Sequence, residues 1–301
     1  MADAGTLTFR NFIESRRSFD EPSEGPTETH LASQLYAFAP DRAARETIHK
    51  LRIVETTFEA AVRLGRALKY GELLGHAVKV GPAQFPRVQR LTKQCADTLG
   101  IATPTVYIVN SPVMNAATFG NKNEACIMIH SALVDAMSDQ ELLSVIGHEC
   151  GHIHNGHVVY LTAMSILASL AGAFRQWLSI PARIAIFDWA RHAEITCDRA
   201  SLLCSKDLDV STRALTKLAL GSSKLYDQLN MEAFIDQYRE GRDHHGRYSE
   251  LGASHPFLPK RVLALRHFAE SELYRRHVSL GDGGLSMDEV DKRVLDVVTV
   301  H

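Results

Sequence analysis

The stretch His148-Glu149-Cys150-Gly151-His152 constrains this chain more than any other feature, because it sits inside a segment that reads as helix. Ser138 and Glu141 form an S-x-x-E capping box just ahead of it, so the spacing predicts one helix from Asp139 to about His157. Each helical residue advances about 100°, which puts His148 and His152 one turn apart on one face, within reach of a single metal ion. Glu149 lies in the same half of the helix, where it can handle a proton on a metal-bound water. Cys150 falls about 200° from His148 and is poorly placed as a ligand. Leu142, Val145 and Ile153 extend an apolar stripe through Glu149 and His152, so this face is expected to point into the protein. The plainer alternative is two histidines packed or solvated on an ordinary helix.

A hydrolytic zinc site needs a third protein ligand and one open position. Glu194-Ile195-Thr196-Cys197-Asp198 offers two carboxylates four residues apart on one helix face. One suits the metal and the other suits the second N–H of a ligand histidine; spacing alone leaves open which is which. A solvated carboxylate face is the competing reading. The apolar neighbours Ile195, Ala200, Leu202 and Leu203 argue instead for a buried helix, where unpaired carboxylates are costly.

Several separate stretches, in order, carry a family resemblance. They are Asn115-Ala116-Ala117-Thr118-Phe119-Gly120, the His148 to His152 motif with Asn155-Gly156-His157, Glu194 to Asp198, and Ser254-His255-Pro256 before Arg261. Over roughly residues 70 to 270 the chain resembles the M48 metallopeptidases, zinc endopeptidases of the gluzincin group. The resemblance implies a peptide or protein substrate and a Zn2+ ion held by His148, His152 and Glu194. Glu149 is then expected to take the proton of the attacking water and pass it to the leaving amine. Asp198 would orient a ligand imidazole, and His255 would steady the oxyanion. Asn115, Ala116 and Ala117 are implied as the exposed strand edge that holds extended substrate by its backbone, with Asn115 positioning it.

The expected fold class is α+β and predominantly helical, a zincin-like catalytic domain with a small mixed sheet beside the H-E-x-x-H helix. Val78 to Val80, Thr105 to Val109 and Ala125 to Ile129 read as three short strands. Helices are expected from Asp41 to about Leu74, Phe85 to Leu99, Ser211 to about Leu220, Met231 to Arg239 and Pro256 to about Tyr274. Residues 1–40 read as an N-terminal tail or extension, 41–280 as the metallopeptidase domain, and 281–301 as a flexible or loosely docked C-terminal extension.

Composition narrows the setting. A net charge of −2 gives no electrostatic reason to expect nucleic acid as partner. Five cysteines without C-x-x-C spacing indicate neither a disulfide framework nor a cysteine-based zinc site, and a reducing, cytoplasmic setting fits them. No apolar leader run opens the chain. Val158 to Phe174 carries no formal charge and is at the lower limit for a membrane span. A single crossing there would put the metal helix and Glu194 on opposite sides, so a buried or partner-facing helical hairpin is favoured over membrane attachment. The competing functional readings are a zinc-binding scaffold or latent protease, and a membrane-associated quality-control protease. Glu149 argues against the scaffold, since a closed structural site needs no base.

Overall fold

The computed structural model describes residues 33–50, 75–121, 124–169, 180–241 and 255–299. The helix capped by Ser138 is its centre. This helix, α4, spans Asp139–His154, after α1 (Ala39–Lys50), α2 (Pro86–Leu99) and the short α3 (Ser131–Ala136). The Ser138 hydroxyl accepts from the Glu141 N–H while the Glu141 carboxylate accepts from the Ser138 N–H, so the capping box satisfies two amides that a helix start leaves open. The helix stops at His154, three residues short of the expected His157. Asn155 is its C-cap and Gly156 takes the left-handed φ of 69° that turns the chain away.

Four strands, β1 (Ala77–Lys79), β2 (Thr105–Val109), β3 (Ala116–Gly120) and β4 (Ala125–His130), form one mixed sheet in the order β1-β2-β4-β3. The fourth strand is the Asn-Ala-Ala-Thr-Phe-Gly stretch, one more than periodicity suggested. Its apolar and polar residues do not alternate, so pairing with β4 rather than pattern makes it a strand. Strand β2 runs parallel to β4, while β1 and β3 pair antiparallel to their neighbours. β3 is thus an edge, next to α4, and Gly120 at its far end donates its N–H to the Thr162 hydroxyl.

Beyond α4 come α5 (Val158–Ser169), α6 (Ile180–Ser205), α7 (Leu208–Leu220), α8 (Ser223–Tyr226) and α9 (Met231–Gly241). The predicted Pro256 to Tyr274 helix is two, α10 (Leu258–Ala269) and α11 (Glu272–His277), because Ser271 caps the second from its own side chain. Among the described residues no helix is long and apolar enough to cross a membrane. Val159, Tyr160 and Ala163 of α5 are buried against Trp189, Ala190 and Ala193 of α6. Residues 170–179 of the expected 158–187 hairpin, and residues 51–74 of the first predicted helix, lie outside the described residues.

Both proposed extensions change at their inner ends. Tyr36, Ala37 and Phe38, assigned to the tail, are 3%, 1% and 0% exposed. Residues 281–301 are expected to dock loosely, yet α12 (Met287–Val298) buries Val290, Val294 and Val298 in the main core. A stripe at i, i+4 and i+8 is a helix's way of presenting one apolar face, and burial of those side chains outweighs the entropy of ordering a chain end.

The contact that most affects the site is α4 against α6. Gly147 and Gly151, one turn apart, let the two backbones approach. A methyl added at Gly151 would lie 2.8 Å from Cβ of Ala200 and 3.1 Å from Cα of Cys197. Gly151→Ala is therefore expected to cost about 1–3 kcal/mol of stability in urea denaturation. Unchanged stability would mean that the helices are free to move apart.

Candidate metal centre

Helix α4 presents His148 and His152 toward α6, which presents Glu194 and Asp198, and turns Glu149 toward β3. Each imidazole turns Nε2 to the same carboxylate. His148 Nε2 is 3.4 Å from Glu194 Oε2, and His152 Nε2 is 3.4 Å from Glu194 Oε1. Asp198 lies one turn further along α6, its Oδ1 3.1 Å from Nδ1 of His148. Five of the sequence-derived site residues therefore converge, with Glu149, Glu194, His152 and Asp198 all buried.

His255 comes from the chain ahead of α10. Its Nδ1 is 2.9 Å from Glu194 Oε2, and its side chain is 61% exposed. The N-cap of α10 is Phe257, so capping does not explain His255. Asn115 is exposed at the start of β3, and Asn115 and Ala116 line the same cavity as His148, Glu149 and Glu194, whereas Ala117 does not. Ser254 and the loop histidines before it lie outside the described residues.

Two side chains to which the sequence alone gives no role complete the site. Thr118 of β3 donates its hydroxyl to Glu149 Oε2 at 2.6 Å, which fixes the carboxylate from the sheet side. Arg261 of α10 donates to both oxygens of Asp198, at 2.8 and 2.7 Å, and its Nη2 is 3.2 Å from Glu194 Oε2. Only contacts across the fold reveal these two, since neither spacing nor residue type singles them out.

The electrostatics suit a cation. Burial alone would push the His148 pKa down, but Glu194 and Asp198 outweigh it and hold it up at about 10. Burial alone would also raise both carboxylates. His255, Arg261 and His148 keep Glu194 well below its ordinary value, and Arg261 with His148 keeps Asp198 down. Two imidazole nitrogens and an ionised carboxylate, converging in a buried cleft, are a donor set that fits a divalent metal.

Cys197 is a second candidate third donor that the spacing argument passed over. Its Sγ and one ring nitrogen each of His148 and His152 all lie within 4.8 Å of one another. Burial and the charges of Glu194, Asp41, Glu149 and Asp198 raise its pKa well above the usual thiol value. Its Sγ is also 3.6 Å from Nδ1 of His157. Both Nε2 atoms face Glu194, which lines the cavity while Cys197 does not, so the geometry favours Glu194.

The cleft opens into a cavity of about 380 Å³. Its lining includes the apolar side chains of Val145, Ala214, Leu215, Leu218 and Leu265.

A buried helix bearing two histidines and a glutamate, faced by a carboxylate helix and flanked by an edge strand, is the arrangement of a metal centre beside a cleft. The chain belongs to peptidase family M48, whose family model matches residues 82–269. It is 37% identical over 172 residues to plastoglobule-localized metallopeptidase 48 of Arabidopsis thaliana, covering 56% of this chain and 50% of that one. It is 32% identical over 95 residues to a protease HtpX homolog of Halobacterium salinarum, covering 32% and 33%. Against protease HtpX of Tolumonas auensis it is 31% identical over 219 residues, covering 60% and 71%. The chain thus spans half the length of the plant relative and a third of the archaeal one. No solved structure matches it.

Proposed function

We propose that the protein is a zinc-dependent endopeptidase with His148, His152 and Glu194 as the metal ligands. The observation that carries this is the convergence of both Nε2 atoms on Glu194, with Glu149 beside them in the same cleft. These three side chains would hold the zinc, whose Lewis acidity would acidify a water in the cleft. Glu149 takes the proton of the attacking water and delivers it to the leaving amine. Thr118 holds the accepting carboxylate in place, and Asp198 fixes His148 through its Nδ1. His255, exposed and beside Glu194, is placed to donate to the oxyanion. The edge of β3 from Asn115 to Ala117 takes the substrate backbone.

The substrate is a peptide or protein chain with an apolar side chain next to the scissile bond, which the wall formed by Leu215, Leu218 and Leu265 receives. The peptidase unit includes α12 as well as residues 41–280, because α12 shares the main core. A reducing compartment such as the cytoplasm fits five cysteines that show no C-x-x-C spacing. The plant relative is, by its name, plastoglobule-localized and chloroplastic.

Metal analysis of the purified full chain, paired with cleavage of a fluorogenic peptide library, tests this reading. About one zinc per chain, activity lost to chelator and restored by zinc, and a preference for apolar residues are expected. Zinc without cleavage of any peptide would favour a binding protein. Thr118→Val is expected to lower kcat about tenfold with zinc content unchanged, as Glu149 loses the bond that aims it. Turnover equal to the unmodified chain would remove Thr118 from the mechanism.

A further inference from the structure

A buried polar chain behind His152 plays no part in this mechanism. Nδ1 of His152 is 3.2 Å from Nδ1 of His157, and Nε2 of His157 is 3.0 Å from Oδ2 of Asp41. His157 and Asp41 are both 0% exposed. Asp41 is surrounded by donors: the Trp189 indole N–H reaches its Oδ1 at 3.0 Å, and the Thr196 hydroxyl reaches Oδ2 at 2.8 Å. The Arg45 guanidinium lies 3.8 Å from Oδ1.

These contacts run in only one direction. A carboxylate accepts and does not donate, so the hydrogen between Asp41 and His157 belongs to Nε2 of His157. With His157 neutral, its Nδ1 is an acceptor, approached also by Cys197 Sγ at 3.6 Å, and the hydrogen between the two rings belongs to Nδ1 of His152. His152 is left with its lone pair on Nε2, the nitrogen 3.4 Å from Glu194. We propose that Asp41 and His157 are positioning residues that hold His152 in the tautomer able to bind a metal through Nε2.

Asp41 lies outside residues 82–269, the part of the chain the family model matches. The segment carrying it is anchored to the end of α4. Tyr36 Oη is 2.9 Å from His154 Nδ1 and accepts from Asn155 Nδ2 at 2.8 Å, while Arg45 donates to the Asn155 carbonyl. A stretch ahead of the shared domain thus becomes part of the metal centre's support. Groups that orient a ligand histidine in this way typically change metal affinity when removed.

This inference rests on His152 being a zinc ligand, so the test separates the two. In the full chain, Asp41→Asn and His157→Gln are compared with Val88→Ala, which lowers stability from the core face of α2 without touching the hydrogen-bonded chain or the segment that carries Asp41. Zinc affinity is measured by chelator competition, and metal-free folding by circular dichroism. Affinity is expected to fall about 10- to 100-fold in the first two and to stay unchanged in Val88→Ala, whatever each does to the melting temperature. Unchanged affinity in folded Asp41→Asn and His157→Gln overturns the proposal. Should those variants not fold, nitrogen-15 spectra of the unmodified, metal-free chain decide. A proton on Nδ1 of His152 is expected, and an Nδ1 without one overturns the relay. If the unmodified chain binds no zinc, the ligand assignment fails, and the same spectra still judge the relay.

Discussion

Replacing Glu149 by glutamine is expected to leave zinc content unchanged and to lower peptide hydrolysis by about 10²–10⁴-fold. The two side chains are nearly equal in size, and the amide can keep a hydrogen bond to Thr118, so the helix pair and the proposed ligands stay where they are. Only the capacity to take up a proton is lost. The geometry makes this a clean substitution: Glu149 is 7% exposed, and its Oε2 already has a partner 2.6 Å away on the sheet. Zinc content and cleavage rate must be read on the same sample. Undiminished turnover would refute the role of Glu149, whereas joint loss of zinc and activity would make it a ligand. The effect exceeds that of Thr118→Val because Thr118 only aims the group that carries the proton.

What the sequence revealed about this site follows from distance along the chain. His148, Glu149 and His152 share a helix turn, as do Glu194 and Asp198, and such local spacing fixes which side chains share a face. It does not say what faces them. Thr118, Arg261, Cys197 and the Asp41–His157 pair matter only through partners from other elements, which periodicity does not encode. The fold divides in the same way. Capped, amphipathic segments such as α2 and α4 are legible, and Gly100, at a φ of 68°, ends α2 at the expected Leu99. Strand β3 is not, because its pairing with β4 rather than its pattern makes it a strand. Both chain ends looked dispensable for a related reason: Tyr36, Phe38 and Asp291 are ordinary residues until their distant partner is known. A truncation meant to remove only the undescribed N-terminal stretch should therefore stop at residue 32, since one reaching residue 40 would excise Tyr36 and Phe38 from the core.

That partner is Arg199, and breaking its pairing is expected to have the largest effect on stability. Arg199 is 1% exposed, on the α6 turn that follows Asp198. It donates from Nη2 to Asp291 Oδ1 at 2.6 Å and from Nη1 to the Tyr36 carbonyl at 3.1 Å. Its guanidinium carbon lies 5.2 Å from the ring centres of both Phe38 and Phe268. Asp291 in turn accepts from the Ala39 N–H at 3.1 Å. One cation thus joins α6, α12 and the segment ahead of α1. Asp291→Ala leaves that cation buried without its counter-charge, and a loss of about 3–5 kcal/mol is expected in urea denaturation. Removing both charges, as Arg199→Met with Asp291→Ala, should cost much less than the sum of the single changes, because the desolvation penalty disappears with the ion. A loss below about 1 kcal/mol for Asp291→Ala, the range of an exposed pair, would show that water reaches Arg199. The pair also bears on the metal centre. Asp291 holds the residue two positions before Asp41, so a folded Asp291→Ala protein is expected to bind zinc more weakly when the Asp41–His157 relay operates.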